Sequence, residues 1–153
     1  MPDRRIPLDW NHLVLDIGSG AIPRGNIQVD LPPNESDKHH RSASVTPTIY
    51  ADAHYLPFRA NVIERVLCLH IIEHLKRPFD ALLEVKRVLE ENGTLRIEIP
   101  NPRLWNHERK EHLYSWHPDT FHNIVRETGF KLIKYHEGGR NQSIECIKHM
   151  EAA

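Results

Sequence analysis

Apolar positions along the chain follow two rhythms. Short apolar runs recur at Leu13–Asp16, Ile27–Asp30, Thr48–Ala51, Val66–Ile71 and Thr94–Ile99. The later runs alternate with helix-length segments, the pattern of strand–helix–strand crossovers in a parallel sheet. The clearest helix covers PFDALLEVKRVLEEN, where Ala81, Leu82, Val85, Val88 and Leu89 share one face; Pro78 opens it and Asn92-Gly93 is expected to close it. A second helix, PDTFHNIVRETGF, puts Phe121, Ile124 and Val125 on one face and ends at Gly129. It should pack on the same side of the sheet as the first. The remainder, FKLIKYHEGGRNQSIECIKHM, reads as two strands joined by a Gly-Gly turn, an antiparallel hairpin.

The pattern also predicts what is missing. Ten residues separate Asp16 from Ile27, and ten extended residues reach about 33 Å, enough to return along a short strand without a helix. Pro23 and Gly25 argue against a regular helix there. Pro32–Pro47 is polar, bounded by proline and without helical period, so it reads as a long loop, either a surface connection or a lid. One sheet face should therefore be partly bare. Strand patterns agree: in TLRIEI, Leu95, Ile97 and Ile99 alternate with Thr94, Arg96 and Glu98, and NIQVD and SIECIK alternate similarly. LVLDI does not alternate, so the sheet centre needs cover from the proline-rich loop or from a second copy of the chain, a homodimer.

Composition narrows the class. At 153 residues the chain is expected to form one domain, 1–153. Twenty basic against 21 acidic residues leave a net charge of -1, no broad footprint for nucleic acid or anionic lipid. Small molecules or proteins are the expected partners. No apolar run spans a bilayer and the first residues form no secretory core, so a cytoplasmic protein without a membrane segment is expected. Cys68 and Cys146 make no disulfide framework and read as reduced core thiols. His107, His112, His117 and His122 recur every five residues, the wrong spacing for helical metal ligands in a stretch that Pro118 breaks; no metal is expected.

Candidate chemistry gathers at the strand ends. LDIGSG places Gly18 and Gly20 where bare backbone can approach a ligand, and QVD ends the second strand with Asp30, an acid able to accept both hydroxyls of a ribose. With YADAHYLPFRANVIERVLCLHIIEHL, ALLEVKRVLEENGTLRIEIPN and EHLYSWHPDTFHNIVRETGF following in order, the chain resembles the type-11 class I S-adenosylmethionine-dependent methyltransferases. The resemblance runs from about Leu13 to Phe130. It implies an α/β, Rossmann-like, mostly parallel seven-stranded sheet of order 3-2-1-4-5-7-6, last strand antiparallel. In that order the two cysteines lie two strands apart, about 9.6 Å, too far for a disulfide.

The resemblance also implies a cofactor, S-adenosylmethionine, and its site. The turn Asp16, Ile17, Gly18, Ser19 and Gly20 would face the methionine part. Asp30 would hold the ribose, Leu31 would lie beside the adenine, Asp52 and Ala53 would meet the adenine edge and ring, and the backbone near Leu69 and His70 would receive the ammonium. The chemistry of the cofactor asks for these groups: a sulfonium with an ammonium, a carboxylate, a ribose and an adenine needs acids, free N–H groups and an apolar slot. Three departures stand out: Glu64 replaces an aspartate, Leu69 replaces a small polar residue, and Gly20 leads into AIPRG instead of a helix. Arg24 could substitute for the lost helix N-terminus against the cofactor carboxylate, or be a solvated loop arginine. His70 and His112 match positions near the methyl group and are the candidate catalytic bases; Glu73 and His74 rank below them as braces of the following turn. Trp105, Tyr114 and Trp116 are either an acceptor wall or packing. The expected activity is methyl transfer to a small-molecule or protein acceptor, with a non-catalytic cofactor-binding module acting through a partner as the alternative. A nicotinamide oxidoreductase fits poorly, for lack of a glycine fingerprint opening a helix.

Overall fold

The computed structural model describes residues 8–20, 22–32, 47–103 and 112–149. Seven strands form one sheet: β1 (Val14–Ile17), β2 (Ile27–Asp30), β3 (Ile49–Tyr50), β4 (Ile63–Leu69), β5 (Leu89–Pro100), β6 (Phe130–Gly138) and β7 (Asn141–Lys148). Their order is β3-β2-β1-β4-β5-β7-β6. Pairs among β1 to β5 are parallel, and β7 runs antiparallel between β5 and β6. Two α-helices, α1 (Pro78–Val88) and α2 (Pro118–Glu127), and a 3-10 turn at Ile72–His74 complete the described elements. The order and the pairing are those expected from the chain's resemblance.

The bounds differ most around β4 and α1. β4 starts at Ile63 and stops at Leu69, and α1 stops at Val88, short of Asn92-Gly93. The reason is register: Leu89 already pairs with Ile63, and the next pair is Thr94 with Arg65, so Glu90–Gly93 bulge out opposite Glu64. Asn92, at φ 61, takes the left-handed turn that asparagine tolerates.

Register assigns each side chain to a face. Leu15, Val66, Leu95 and Cys146 stand side by side, as do Val29, Ile17, Cys68, Ile97 and Ile144. All are buried, in one core with Ala81, Leu82, Val85 and Val88 of α1 and Phe121 and Val125 of α2. Both helices thus cover the same face, as their apolar stripes require. Lys86 of α1 lies over Gly129, just after α2. Cys68 and Cys146 are free and buried in this core.

No helix covers the opposite face among the described residues. The crossover between β1 and β2 lies there as a loop. Arg24 N donates to Asp16 Oδ2 (2.6 Å), Asn26 Oδ1 accepts from Val14 N (2.8 Å), and Asn26 Nδ2 donates to the His12 carbonyl (2.7 Å). A Cβ at Gly25 would meet the Val14 carbonyl at 2.5 Å, so only glycine lets the chain lie this close. Gln28, also facing this side, is buried with its amide spent on the Gly25 carbonyl (2.7 Å) and the Thr48 hydroxyl (2.8 Å). The centre of the sheet is therefore covered by the crossover itself; most of the proline-rich loop, residues 33–46, lies outside the described residues. Farther out the face carries pairs such as Arg65–Glu145 (3.8 Å) and Arg96–Glu98 (3.3 Å).

Candidate active site

A cleft of about 300 Å³ opens at the carboxyl ends of β1 and β2, between the glycine turn, the segment after β3 and the 3-10 turn. Gly18 sits in it with φ 69, donating its N–H to the Val29 carbonyl (2.8 Å). A Cβ at Gly18 would come within 2.7 Å of Ile71 Cδ1, so glycine is demanded by both conformation and space. Asp30 stands at the end of β2, past the β1 pairing. Its Oδ1 accepts from Leu31 N (2.8 Å) and its Oδ2 from Gly20 N (3.3 Å), so main chain aims the carboxylate.

Asp52 and Ala53 reach the cleft through α1. Glu84 accepts the Leu56 N–H (2.9 Å), while Arg87 donates to the Leu56 and Phe58 carbonyls (3.0 and 2.8 Å) and to Glu84 itself (2.7 Å). Buried Leu56 completes the anchor. This is the mechanical meaning of DA-x-x-LPF followed by a helix: the motif ties a loop to α1 and holds its first residues at the cleft. Asp52 accepts from the His54 main chain (2.9 Å) and ring (2.6 Å), and these bonds outweigh its burial and hold its carboxyl below the ordinary range.

Six of the expected cofactor residues line the cleft: Ile17, Gly18, Asp30, Leu31, Asp52 and Ala53. Ser19 and Gly20 continue the turn beside it. Asp16 lies under the crossover loop, 3% exposed, where burial raises its pKa against the bond from Arg24 N. Leu69 and Arg24 line a hollow on the helix-poor face with Arg65 and Arg96, which corrects the expected place of Arg24 beside the cofactor carboxylate. The cause is local: the Arg24 main chain is drawn to Asp16, and its side chain falls on the sheet face.

Sequence reasoning missed part of the wall. His54, Ile71, His74, Leu75 and Lys76 also line the cleft. The signal for His54 was the Asp-x-His spacing, which makes a turn bonded to Asp52; nothing local announces that Ile71 folds over Gly18. Beside the cleft His70 adopts φ 56, unusual for a residue with a Cβ. Its Nε2 is 3.0 Å from Glu98 Oε1 and its Nδ1 3.6 Å from Glu73 Oε1. Glu73 first, then Glu98, raises the imidazole pKa against the opposing effect of burial. His112 packs edge-on against His74, centroids 4.7 Å apart. Trp116 is buried and stacks on Tyr114 at 5.4 Å, packing rather than an open wall. Trp105 and His107 lie outside the described residues.

The donor set fits S-adenosylmethionine. An aimed carboxylate for a ribose, half-exposed Leu31 and buried Ala53 for an adenine, and a glycine turn without side chains share one cleft. No described helix is long and apolar enough to cross a membrane.

A chain of the complex between the Haloferax volcanii Trm112 methyltransferase activator and a methyltransferase is 12% identical, with a TM-score of 0.72 and 97% of this chain and 87% of that one covered. A Bacillus halodurans protein structure, BH2331, matches at 16% identity, TM-score 0.69, covering 94% of this chain and 95% of that one. The cyclase SpnF matches at 14% identity, TM-score 0.69, covering 97% and 78%. At such identities these likenesses establish the fold. No curated protein matches. The family profile described as "Methyltransferase domain" matches residues 15–97, more than half of the chain, from within β1 across the glycine turn and into β5. The chain belongs to the methyltransferase domain family.

Proposed function

We propose that the chain binds S-adenosylmethionine in this cleft and transfers its methyl group to a small-molecule or protein acceptor. The observation that carries the reading is Asp30, a carboxylate aimed by two main-chain N–H groups at the rim of an otherwise largely apolar cleft. Asp30 accepts the ribose hydroxyls, Leu31 and Ala53 flank the adenine, and Asp52 takes its edge. The turn Ile17–Gly20 faces the methionine part, with Asp16 held beneath the crossover loop behind it, and the main chain at Leu69 and His70 receives the ammonium. Arg24, on the helix-poor face, is outside this set.

When bound, S-adenosylmethionine supplies a methyl carbon already activated by a sulfonium. The protein's part is then alignment: holding the acceptor lone pair in line with that carbon supplies much of the rate. A proton released by the acceptor has two imidazoles near the site, His70 and His112. His70 is the better placed, because Glu73 and Glu98 stabilise its charged form.

Two features support a role for partners. The helix-poor face mixes Arg65, Arg96 and Lys134 with Glu98 and Glu145, a pattern that a second copy could meet with opposite charges, as a homodimer. A neighbour in fold comes from a complex with a methyltransferase activator, which keeps open a cofactor-binding module that works through another protein. Two unpaired buried thiols fit a cytoplasmic protein.

Calorimetry with S-adenosylmethionine, its demethylated product and NAD in parallel tests the cofactor. Asp30→Ala is expected to weaken S-adenosylmethionine at least about tenfold, the order of one lost charge-assisted hydrogen bond. Binding of NAD alone would overturn the reading. Turnover of labelled cofactor separates enzyme from module, and sedimentation tests the homodimer.

A further inference from the structure

The 3-10 turn and the irregular segment before α2 meet at one residue. The Glu73 carbonyl accepts from the main-chain N–H of Leu113 (2.9 Å) and of Tyr114 (3.3 Å), and the Tyr114 hydroxyl donates to the Lys76 carbonyl (3.1 Å). This clamp holds His112 against His74, their rings nearly perpendicular at 76°. The Glu73 carboxylate is enclosed at the same spot. Its side chain is 3% exposed, and neither oxygen has a hydrogen bond among the described residues. His70 Nδ1 at 3.6 Å and His74 Nε2 at 3.8 Å from Oε1 are near, yet beyond hydrogen-bond distance. A buried carboxylate without a hydrogen-bond donor is rare in folded proteins, and an ion bound at its oxygens would supply the missing partner.

We propose that Glu73, His74 and His112 form a binding site for a divalent transition-metal ion of the zinc type. One ligand atom from each residue lies within 4.8 Å of those from the other two. In a tetrahedral site with bonds of about 2.1 Å the ligand atoms stand about 3.4 Å apart, so the three must close by up to about 1.4 Å. His74 and His112 are only half-buried, so the adjustment falls on two side chains at the surface of the core.

The chemistry of the set selects the ion. Two imidazoles and a carboxylate, with one position left for water or substrate, are the donors of open zinc sites, whereas magnesium and calcium take oxygen. His74 also lines the cleft, which puts the ion in its wall. His70 stands outside the set, its Nδ1 3.6 Å from Glu73 Oε1. In this arrangement His112 serves as a ligand rather than as a base. The site does not depend on the methyl-transfer reading, since its residues are drawn from geometry alone. Spacing along the chain could not reveal it: the ligands come from two segments far apart in sequence.

The test uses the full chain stripped with EDTA, with Co²⁺ as the spectroscopic probe and Zn²⁺ as competitor. The expected result is saturable visible ligand-field bands at one equivalent per chain, displaced by Zn²⁺. His74→Ala and His112→Ala should each lower Zn²⁺ affinity at least about tenfold, since even residues that only orient a ligand have effects of that size. His136→Ala, on β6, should leave it unchanged and controls for surface histidines. Glu73→Gln should match the ligand variants where circular dichroism shows it folded; if it unfolds, the two histidine variants carry the test. Absent bands, affinity unchanged in both histidine variants, or an equal loss in His136→Ala would overturn the site. Calorimetry with S-adenosylmethionine on the same stripped protein separates the two readings. Metal binding without cofactor binding sinks only methyl transfer, and the reverse sinks only the metal site.

Discussion

Leu15, Val66, Leu95 and Cys146 cross the sheet in register on one face, and each is fully buried under α1 and α2. One residue further along, Asp16, Leu67, Arg96 and Glu145 cross it in register on the other. There exposure climbs with distance from the centre: Asp16 is 3% and Leu67 7% exposed, while the Arg96 and Glu145 side chains reach 40% and 42%. A helix shields several strands at once, because its apolar stripe is wide. A crossover loop of this length shields little beyond the strand it returns along. The outer strands of the uncovered face consequently carry charges, which water or a partner can satisfy.

The comparison breaks most severely on the covered side. Leu82→Ala, at a fully buried α1 position, should lower stability by about 2–5 kcal/mol in urea unfolding, through lost burial and a residual cavity. A loss below about 1 kcal/mol would mean that this face is not close-packed. Thiol labelling examines the same face without mutation. Burial pushes the Cys146 thiol up to about 12, and burial raises Cys68 as well. Neither should react with an alkylating reagent at neutral pH in the native protein, and both should react once unfolded. Fast native labelling would show that the helices do not seal the core.

Under the crossover loop the expected effect is smaller and depends on pH. The folded-state pKa of Asp16 lies above its ordinary value, chiefly through burial, so the native state holds that proton more tightly than the unfolded chain. Stability should therefore fall as pH rises from the ordinary carboxylate pKa through the raised one. Asp16→Asn keeps an acceptor for Arg24 N and should flatten this part of the profile. Parallel profiles in both proteins would refute the burial of a charge beneath the loop. The smallest change is expected at the outer strands: Arg65→Ala breaks a pair with Glu145 in which both side chains are 42% exposed, and should alter stability by about 0–1 kcal/mol. A larger loss in solution would point to a second copy covering this face.

Much of the cleft at the ends of β1 and β2 was legible because its motifs are local. The glycine turn, the acid at the end of β2 and the Asp52-Ala53 pair each sit within a few residues of the strand that places them. The Leu56–Arg87 anchor that ties that pair to α1 was not legible, because it joins positions 31 residues apart. Arg24 was misplaced because nothing in AIPRG reveals that its main chain would bond to Asp16. The end of α1 was misjudged because Leu89 had to satisfy both the helix stripe and the strand register, and pairing with Ile63 prevailed. The Glu73 cluster stayed hidden since one of its members comes from the segment before α2.

What the sequence determined by itself is the division of the sheet into a helix-covered face and a polar one. Side chains alternate along a strand, so the pattern of apolar residues states which ones seek cover, and the lack of helical segments between the early strands states which side lacks it. Only the tertiary structure decided the fate of the two acids. Asp16 and Asp30 share a face by alternation, but Asp30 overhangs the end of β1 and enters the cleft, whereas Asp16 is sealed beneath a returning loop. That outcome rests on where the main chain runs after each strand, through contacts between distant segments that no local pattern encodes.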